Sequence, residues 1–348
     1  MANGRTGGRH FRKGAPKPAA GWEARPRVRQ RWMPRLSSVL GFVLFILGVG
    51  IFFYPTASEY AAAQRADQAI RSAMVASVED DPSASDSGKR SKNDSAYQYL
   101  KAYNERVREG QGGAINDPWG MGSDKDELAS VGLPEGIVGS ISVPSAGIQL
   151  PLYLGSTEAN MLLGATVTSG TSAPLGETDS NVLIAAHRGP TESLPMFRDI
   201  ENIRVGDKVT IDTLWDTLTY RVTELRTIAP DNVDAVKIQP GKDMVTLLTC
   251  HPYGYNYQRY IVYCERVEGD AAGVAAAGGA GGARVTVLNP LQQALEPSSS
   301  PLLVAERWLR VVGMALIALV VVVAAVRVVR RVFAFVLNRA RAIAQTRH

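Results

Sequence analysis

Cysteine is scarce in this sequence, with two residues in 348. Two cysteines are too few for a disulfide scaffold or for a four-cysteine zinc ribbon. Charged residues are also few, at 20% against 45% hydrophobic residues, which excludes a wholly disordered or fibrous chain. We therefore expect one or two ordinary domains with a large buried core.

A basic surplus is absent from the middle of the chain, although the net charge is +5 and the pI is about 9.2. Residues 1–35 carry ten Lys/Arg and one acid, and residues 306–348 carry eight Arg and one acid. Residues 57–305 carry 20 bases and 31 acids. An acidic body repels phosphate, so we expect no nucleic-acid partner.

Two long apolar runs lie between the basic ends and the acidic body. Leu36 to Tyr54 contains no charge, and as a helix it spans about 28 Å, the thickness of a hydrocarbon core. Val311 to Val326 is extended by Trp308 and Leu309, with Arg310 able to snorkel outward. We predict transmembrane helices at 36–56 and 306–327. The alternatives are buried core helices and, for the first run, a cleaved signal peptide, which its long basic lead disfavours.

The arginines set the expected orientation in a cell membrane. Residues 1–35 precede the first span, and further arginines follow the second in 328–348. The positive-inside rule then makes the protein two-pass, with both termini cytoplasmic and 57–305 extracytoplasmic. The basic arm 1–35 can also bind anionic lipid headgroups, which makes membrane lipid an expected partner.

The outer part divides by composition. Apolar residues at three- and four-residue spacings predict N-terminal helices within 57–110, and a Gly-, Asp- and Pro-rich loop follows at 111–132. Residues 133–268 contain seven or eight short strands with few helices between them, which is typical of a compact β-barrel. Gly, Ala, Pro and Ser then predict a flexible linker at 269–305.

Three reactive residues stand at ends of predicted strands. His187 ends the run Val182–His187, Cys250 ends the run Val245–Cys250, and Arg259 opens the next strand. A thiolate is a nucleophile, an imidazole transfers protons, and a guanidinium offers a fixed positive charge to an oxyanion. Together the three residues form a candidate catalytic constellation.

Structural roles for the same residues are the alternative. A Cys in an apolar strand is often an inert small hydrophobe, and a His or Arg at a strand end is often solvated. A zinc site that uses Cys250, His251, Cys264 and His187 lacks metal-ligand spacing, so we expect no metal. Strand alternation also disfavours a disulfide between the two cysteines and makes His251 a poor base.

The residues around Cys250 resemble the signature motif of a known family. Thr246-Leu247-Leu248-Thr249-Cys250, followed by Pro252, Gly254, Asn256 and Arg259, is similar to that of sortases, the cysteine transpeptidases of Gram-positive surfaces. The Pro-x-Gly-x-Asn-x-x-Arg continuation resembles the class C group, which polymerises pilins. The resemblance covers about residues 133–267 and implies an eight-stranded β-barrel with added N-terminal helices.

The resemblance implies roles and partners. Cys250 would attack the Thr–Gly carbonyl of an LPXTG-like signal and form a thioester, with His187 as acid/base and Arg259 stabilising the oxyanion. Substrates would be pilin or surface proteins that carry such signals. The acceptor would be a pilin lysine or, in a housekeeping-type enzyme, an amine of cell-wall precursor. No organic cofactor is implied.

Asp117-Pro118-Trp119 resembles the class C lid, in which the Asp pairs with the catalytic Arg and the aromatic covers the Cys. A carboxylate would neutralise Arg259, and an indole would exclude water until it is displaced. The alternative is an ordinary Asp-Pro turn. The sequence departs from the family at Ala165, where a His is frequent, and at His251 and Cys264.

Three rivals to a class C sortase stay open. The first is a housekeeping-type sortase, and the second is a cysteine peptidase with water as acceptor. The third is a non-enzymatic, membrane-tethered barrel in which Cys250 is structural.

Overall fold

The computed structural model describes residues 33–79, 89–115, 117, 119, 126–189, 194–267, 290–295, 298 and 300–345. Five α-helices lie in these ranges: α1 Met33–Glu79, α2 Ser95–Arg108, α3 Glu158–Leu163, α4 Pro290–Leu295 and α5 Pro301–Gln345. The eight strands described are β1 Ile137–Val143, β2 Ile148–Leu154, β3 Ala165–Val167, β4 Ser180–Ala185, β5 Lys208–Thr213, β6 Thr217–Ile228, β7 Asp243–His251 and β8 Gln258–Arg266. The chain divides into two units between residues 48 and 49, within α1, and the architecture below belongs to the second unit.

The eight strands form a closed barrel in the order β1-β2-β3-β4-β7-β8-β6-β5. The β2–β3 and β4–β7 pairs are parallel, and the other pairs are antiparallel. Closure leaves no strand edge open, and the interior is filled by the apolar side chains that alternate along each strand. This confirms the predicted eight-stranded barrel with N-terminal helices, with a long apolar helix before it and another after it in the sequence. The term mainly β holds for the barrel alone, because the two long helices make helical residues outnumber strand residues in the described chain.

The two predicted runs that end at His187 and Cys250 agree with β4 and β7 to within two residues at each end. No run was predicted at β3, which has only three residues and so carries almost no periodic signal. That short strand matters because it lies between β2 and β4 and closes one side of the barrel.

The helix bounds differ from those expected at both ends of the chain. α1 continues from Met33 through Pro55 to Glu79, so the predicted span and the first predicted outer helix are one element. α5 begins at Pro301 instead of residue 306, and α4 lies inside the segment predicted as a flexible linker. The rest of that linker, 269–289, and most of the basic arm, 1–32, lie outside the described residues.

Two helices are long and apolar enough to cross a membrane, over Val39–Ala76 and Pro301–Asn338. Their most apolar windows are not buried inside the protein. A helix that is apolar on all sides and exposed to solvent is unfavourable in water, whereas lipid accommodates it. These helices fit membrane anchoring at both ends of the barrel domain.

Candidate active site

The parallel pairing of β4 with β7 brings His187 and Cys250 to neighbouring strand ends. The register matches Ala185 with Leu248, and each candidate residue follows two positions later. Beyond the ladder, the Ala186 amide donates to Leu248 O at 3.2 Å, and the Thr249 hydroxyl donates to Ala186 O at 2.7 Å. The two strand ends therefore stay side by side as far as the reactive residues.

Arg259 stands directly across from Cys250 in the antiparallel pairing of β7 with β8. Residues that face each other in such a pair project from the same side of the sheet. Arg259 is buried, and its Nη1 donates to the carbonyl oxygens of Asn256 at 3.0 Å and Gln258 at 2.8 Å. These bonds fix the guanidinium plane beside the thiol.

Asp117 holds the other edge of that guanidinium. Arg259 Nε donates to Asp117 Oδ1 at 2.9 Å, and Nη2 donates to Oδ2 at 2.6 Å. The pair is bidentate, the strongest form of a charge-assisted contact, and both side chains are largely shielded from solvent. The contact is the one implied for a class C lid.

Trp119 contacts the same site from the lid segment. Its Nε1 donates to His187 Nδ1 at 3.1 Å, and its ring lies 5.0 Å from the Arg259 guanidinium carbon, in cation–π range. The expected cover was over Cys250, whereas the contacts described for the indole are to His187 and Arg259. The lid therefore engages two of the three candidate catalytic side chains directly.

The hydrogen bond from Trp119 indicates which nitrogen of the His187 imidazole carries the proton. An indole N–H only donates, so Nδ1 must be an unprotonated acceptor, and the proton of the neutral ring sits on Nε2. Burial lowers the pKa of His187 below its usual value, which favours this neutral form. While Trp119 stays in place, Nδ1 cannot take a proton.

The Cys250 thiol is also held in its neutral form. Burial raises its pKa to about 11, the positive charge of Arg259 opposes the rise, Asp117 adds to it, and Arg188 also opposes it. At neutral pH a thiol with this pKa is protonated and is a weak nucleophile. Both candidate reacting groups are thus uncharged while Asp117 and Trp119 occupy these positions.

A shallow recess, open to solvent, lies beside Arg259 and Asp117. Its walls are mostly apolar. Leu183, Leu248 and Ile228 come from β4, β7 and the end of β6, Val233 and Val236 come from the turn Val233–Val236, and Ile115, Pro230 and Asn232 come from loops. Ile115 and Trp119 pack on the apolar cluster on this face of the barrel. The lid segment therefore covers an apolar surface that ends at a buried arginine.

The remaining candidates lie away from this chemistry. Cys264 is fully buried opposite Val245 in the barrel core, and both cysteines are free. Among the residues that the structure describes, no group of three or more His, Cys, Asp or Glu side chains is placed to hold a metal ion. His251 contacts Arg188 and Glu201. Sequence reasoning gave Arg188 and Glu201 no role, since only the fold brings them together.

Comparison with known proteins gives the same family as the motif. Residues 141–267 match the family described as the Sortase domain. Sortase A of Bacillus anthracis is 32% identical over 140 residues, which cover 40% of this chain and 64% of that protein. Sortase A of Listeria monocytogenes is 33% identical over 132 residues, covering 38% and 57%. The matched region thus spans less than two thirds of the length of these relatives.

Solved structures with a similar fold include two sortases of the C type. Sortase C2 of group B Streptococcus pilus island 1 is 32% identical, with a TM-score of 0.45, and the match covers 49% of this chain and 95% of that one. Sortase C-1 of Actinomyces oris is 28% identical, with a TM-score of 0.46, and the match covers 50% and 98%.

Proposed function

We propose that this chain, whose residues 141–267 match the Sortase domain, is a membrane-anchored class C sortase, a cysteine transpeptidase that joins surface proteins through their sorting signals. Its substrate would carry an LPXTG-like signal, and its acceptor would be the amine of a pilin lysine. The observation that carries the proposal is the convergence of Cys250, Arg259 and His187 at the adjacent ends of β7, β8 and β4.

The first half-reaction breaks the Thr–Gly peptide bond. The Cys250 sulfur adds to the Thr carbonyl carbon, and the carbonyl oxygen becomes an oxyanion next to the Arg259 guanidinium. The thiol proton passes to His187, which delivers it to the departing Gly amine as the C–N bond breaks. The products are a thioester on Cys250 and a peptide with a free amino terminus.

The second half-reaction forms the new amide. A lysine amine adds to the thioester carbon, and His187 removes its proton. The C–S bond then breaks, and the proton returns to the sulfur. Arg259 stabilises the second oxyanion in the same position as the first. His187 therefore works as acid in one half and as base in the other, which requires that Nδ1 or Nε2 be free to exchange a proton.

The lid contacts support class C among the sortase types. Asp117 neutralises the guanidinium that would stabilise the oxyanion, and Trp119 occupies Nδ1 of the proton-transferring imidazole. An LPXTG-like peptide offers the apolar Leu and Pro to the recess under the lid and places its Thr carbonyl near Arg259. Substrate entry would therefore displace Ile115, Asp117 and Trp119.

We also propose the orientation in the membrane. The two apolar helices would cross the bilayer, and the basic ends of the chain would remain in the cytoplasm by the positive-inside rule. The barrel then lies outside the membrane, on the side where sorting signals of secreted proteins emerge. Its acidic surface keeps it from binding to anionic headgroups.

The test uses the full chain in lipid nanodiscs with an LPXTG-type peptide and three competing acceptors. These are a lysine-bearing peptide, an oligoglycine peptide that represents a cell-wall cross-bridge, and water. Mass spectrometry of the products should show an isopeptide bond to the lysine, and Cys250→Ala should abolish it.

Each other outcome favours a rival. Preference for oligoglycine would indicate a housekeeping-type sortase. Hydrolysis in the presence of excess amine would indicate a cysteine peptidase. No cleavage of several sorting motifs, even with Asp117→Ala/Trp119→Ala, would indicate a non-enzymatic barrel.

A further inference from the structure

The residues that follow the two reacting side chains in sequence are bound to one another. Arg188 comes directly after His187, and His251 comes directly after Cys250. Arg188 Nη1 lies 3.0 Å from His251 Nδ1. Glu201 Oε1 joins both, at 2.6 Å from Arg188 Nη2 and 3.1 Å from His251 Nδ1. We call these three residues the Arg188–Glu201–His251 triangle.

The triangle is shielded from solvent. The side chain of Arg188 is 1% exposed, that of Glu201 is 10% exposed and that of His251 is 22% exposed. Removing either charge of such a pair leaves the other one buried without a partner, which is costly. The three side chains therefore hold together more strongly than an exposed ion pair would.

Only one hydrogen-bond pattern at a time can serve His251 Nδ1. A guanidinium only donates hydrogen bonds, and a carboxylate only accepts them. Nδ1 therefore accepts from Arg188 when it carries no proton and donates to Glu201 when it is protonated. Burial lowers the pKa of His251, Glu201 opposes the fall, and Arg188 adds to it. The Tyr260 ring packs on the other side of the imidazole, at 5.6 Å between ring centroids.

Glu201 sits where it can set the spacing of the two strand ends. It belongs to the 3₁₀ turn Ile200–Asn202, in the loop that begins after β4. The start of that loop is fixed to the site, because the Phe197 amide donates to His187 O at 2.9 Å. Glu201 thus reaches from the His187 side of the site to the residue after Cys250.

We propose that Glu201 is a positioning residue for the transpeptidation, which holds the ends of β4 and β7 so that His187 and Cys250 address the same substrate carbonyl. It acts through Arg188 and His251 and touches no reacting atom itself. The proposal rests on the transpeptidase function given above. Arg188 adds a second effect, since its positive charge also acts on the Cys250 thiol.

The test compares Glu201→Gln, which keeps the shape and removes the charge, with Glu201→Asp, which keeps the charge. The matched control is Glu177→Gln. Glu177 pairs with Arg108 at 3.1 Å, is 19% exposed at its side chain, and precedes β4 at the end away from the site. All variants are full chains in nanodiscs, assayed for kcat and KM with an LPXTG-type peptide and a lysine peptide, and for thermal unfolding.

We expect kcat of Glu201→Gln to fall about tenfold to a hundredfold, with KM within about twofold of the wild type, because misplacement of reacting groups slows chemistry more than binding. Glu201→Asp should recover part of kcat. Glu177→Gln should unfold at a lower temperature and keep its kcat. Unchanged kcat in Glu201→Gln, or an equal loss of kcat in Glu177→Gln, would overturn the positioning role.

A second measurement separates this inference from the proposed function. The imidazole signals of His187 and His251 are titrated by NMR in the same variants. Loss of Glu201 should lower the pKa of His251 and shift the His187 signal, and loss of Glu177 should do neither. If the wild type turned over no peptide, the proposed function would fail, and unchanged His187 and His251 signals in Glu201→Gln would overturn the triangle as well.

Discussion

The reactivity of Cys250 depends on which charges and rings surround it. With the lid closed, burial and the Asp117 carboxylate keep the thiol pKa high, at about 11, against the positive charges of Arg259 and Arg188. We expect displacement of the proposed lid to take Asp117 and the indole away from the thiol together. Both changes would lower the thiol pKa and favour the thiolate, because the two arginines would then be opposed by burial alone.

This account predicts the pH dependence of thiol alkylation. In the wild type, the rate with iodoacetamide should stay low at pH 8 and rise toward pH 11, since alkylation follows the thiolate. In Asp117→Ala/Trp119→Ala the curve should move to lower pH, and each unit of fall in pKa should raise the rate at pH 8 about tenfold. Cys264 is fully buried and serves as an internal unreactive control. Identical curves for the two proteins would contradict this view of the lid.

Arg259 gives a second prediction at this scale. Lysine in its place keeps the charge but cannot make the bidentate contact with Asp117 and the two carbonyl bonds that fix the group. We expect Arg259→Lys to lower kcat by about a hundredfold or more, the cost of losing an oxyanion donor. Steady-state kinetics with an LPXTG-type peptide measures this, and an activity within threefold of the wild type would mean that charge alone suffices.

Candidate residues could be chosen from the sequence where they lie close together in one segment. Cys250 and Arg259 share one short motif, and His187 is one of two histidines in residues 57–305. Glu201 could not be found in that way, because its partners lie 13 and 50 positions away and only the parallel pairing of β4 with β7 brings them together. Tertiary contacts of this kind leave no local pattern.

At the scale of elements, α5 contacts the barrel domain and is also a candidate membrane span. Leu303 is buried, the Tyr253 hydroxyl donates to Glu306 Oε2 at 3.2 Å, and Arg307 pairs with Asp199. Tyr253 lies in the loop that follows Cys250. The first turns of α5 therefore pack against the loop that leads from the nucleophile to Arg259.

Glu59 of α1 is the buried acid in this region. It is 2% exposed and lies 3.4 Å from Arg198 Nη1 and 3.1 Å from Arg310 Nη1, so one carboxylate joins α1, the loop after β4, and α5. Replacing it by Gln leaves two shielded guanidinium groups with less compensation. We expect Glu59→Gln to destabilise the fold by about 1–3 kcal/mol, because Arg198 keeps Asp199 and Arg310 keeps Glu306 as partners.

Thermal unfolding of the full chain in detergent micelles, followed by tryptophan fluorescence, measures this loss. The control is Glu224→Gln, which breaks an exposed ion pair with Arg226 and should cost about 1 kcal/mol or less. Equal melting temperatures for Glu59→Gln and the control would show that the buried cluster contributes nothing.

Element bounds were predictable where periodicity was strong and uncertain where it was not. The continuous buried run of β7 was placed well, whereas α1 was divided near Pro55 because the composition changes there from apolar to mixed. Proline disfavours the helix interior, yet α1 continues through it. The start of α5 was set too late for a similar reason, since Pro301 and its neighbours read as linker by composition alone.

At the scale of the whole molecule, three parts of the chain differ in charge and hydropathy. The acidic barrel domain carries the candidate chemistry, the two apolar helices fit a bilayer, and the basic residues concentrate at the ends. Because α5 contributes Glu306, Arg307 and Arg310 to the barrel domain, cutting the chain at residue 305 removes contacts of the site loops, and assays should use the full chain.

The central claim is that Cys250 is the nucleophile of an acyl transfer that the lid holds back. The most direct test is the intact mass of the full chain after incubation with an LPXTG-type peptide in the absence of any amine acceptor. Asp117→Ala/Trp119→Ala should gain the mass of the acyl fragment in a hydroxylamine-sensitive thioester, and the wild type should gain less. Adding Cys250→Ala to the lid variant should abolish the adduct. An adduct that persists without Cys250, or none with any of several sorting motifs, would contradict the account.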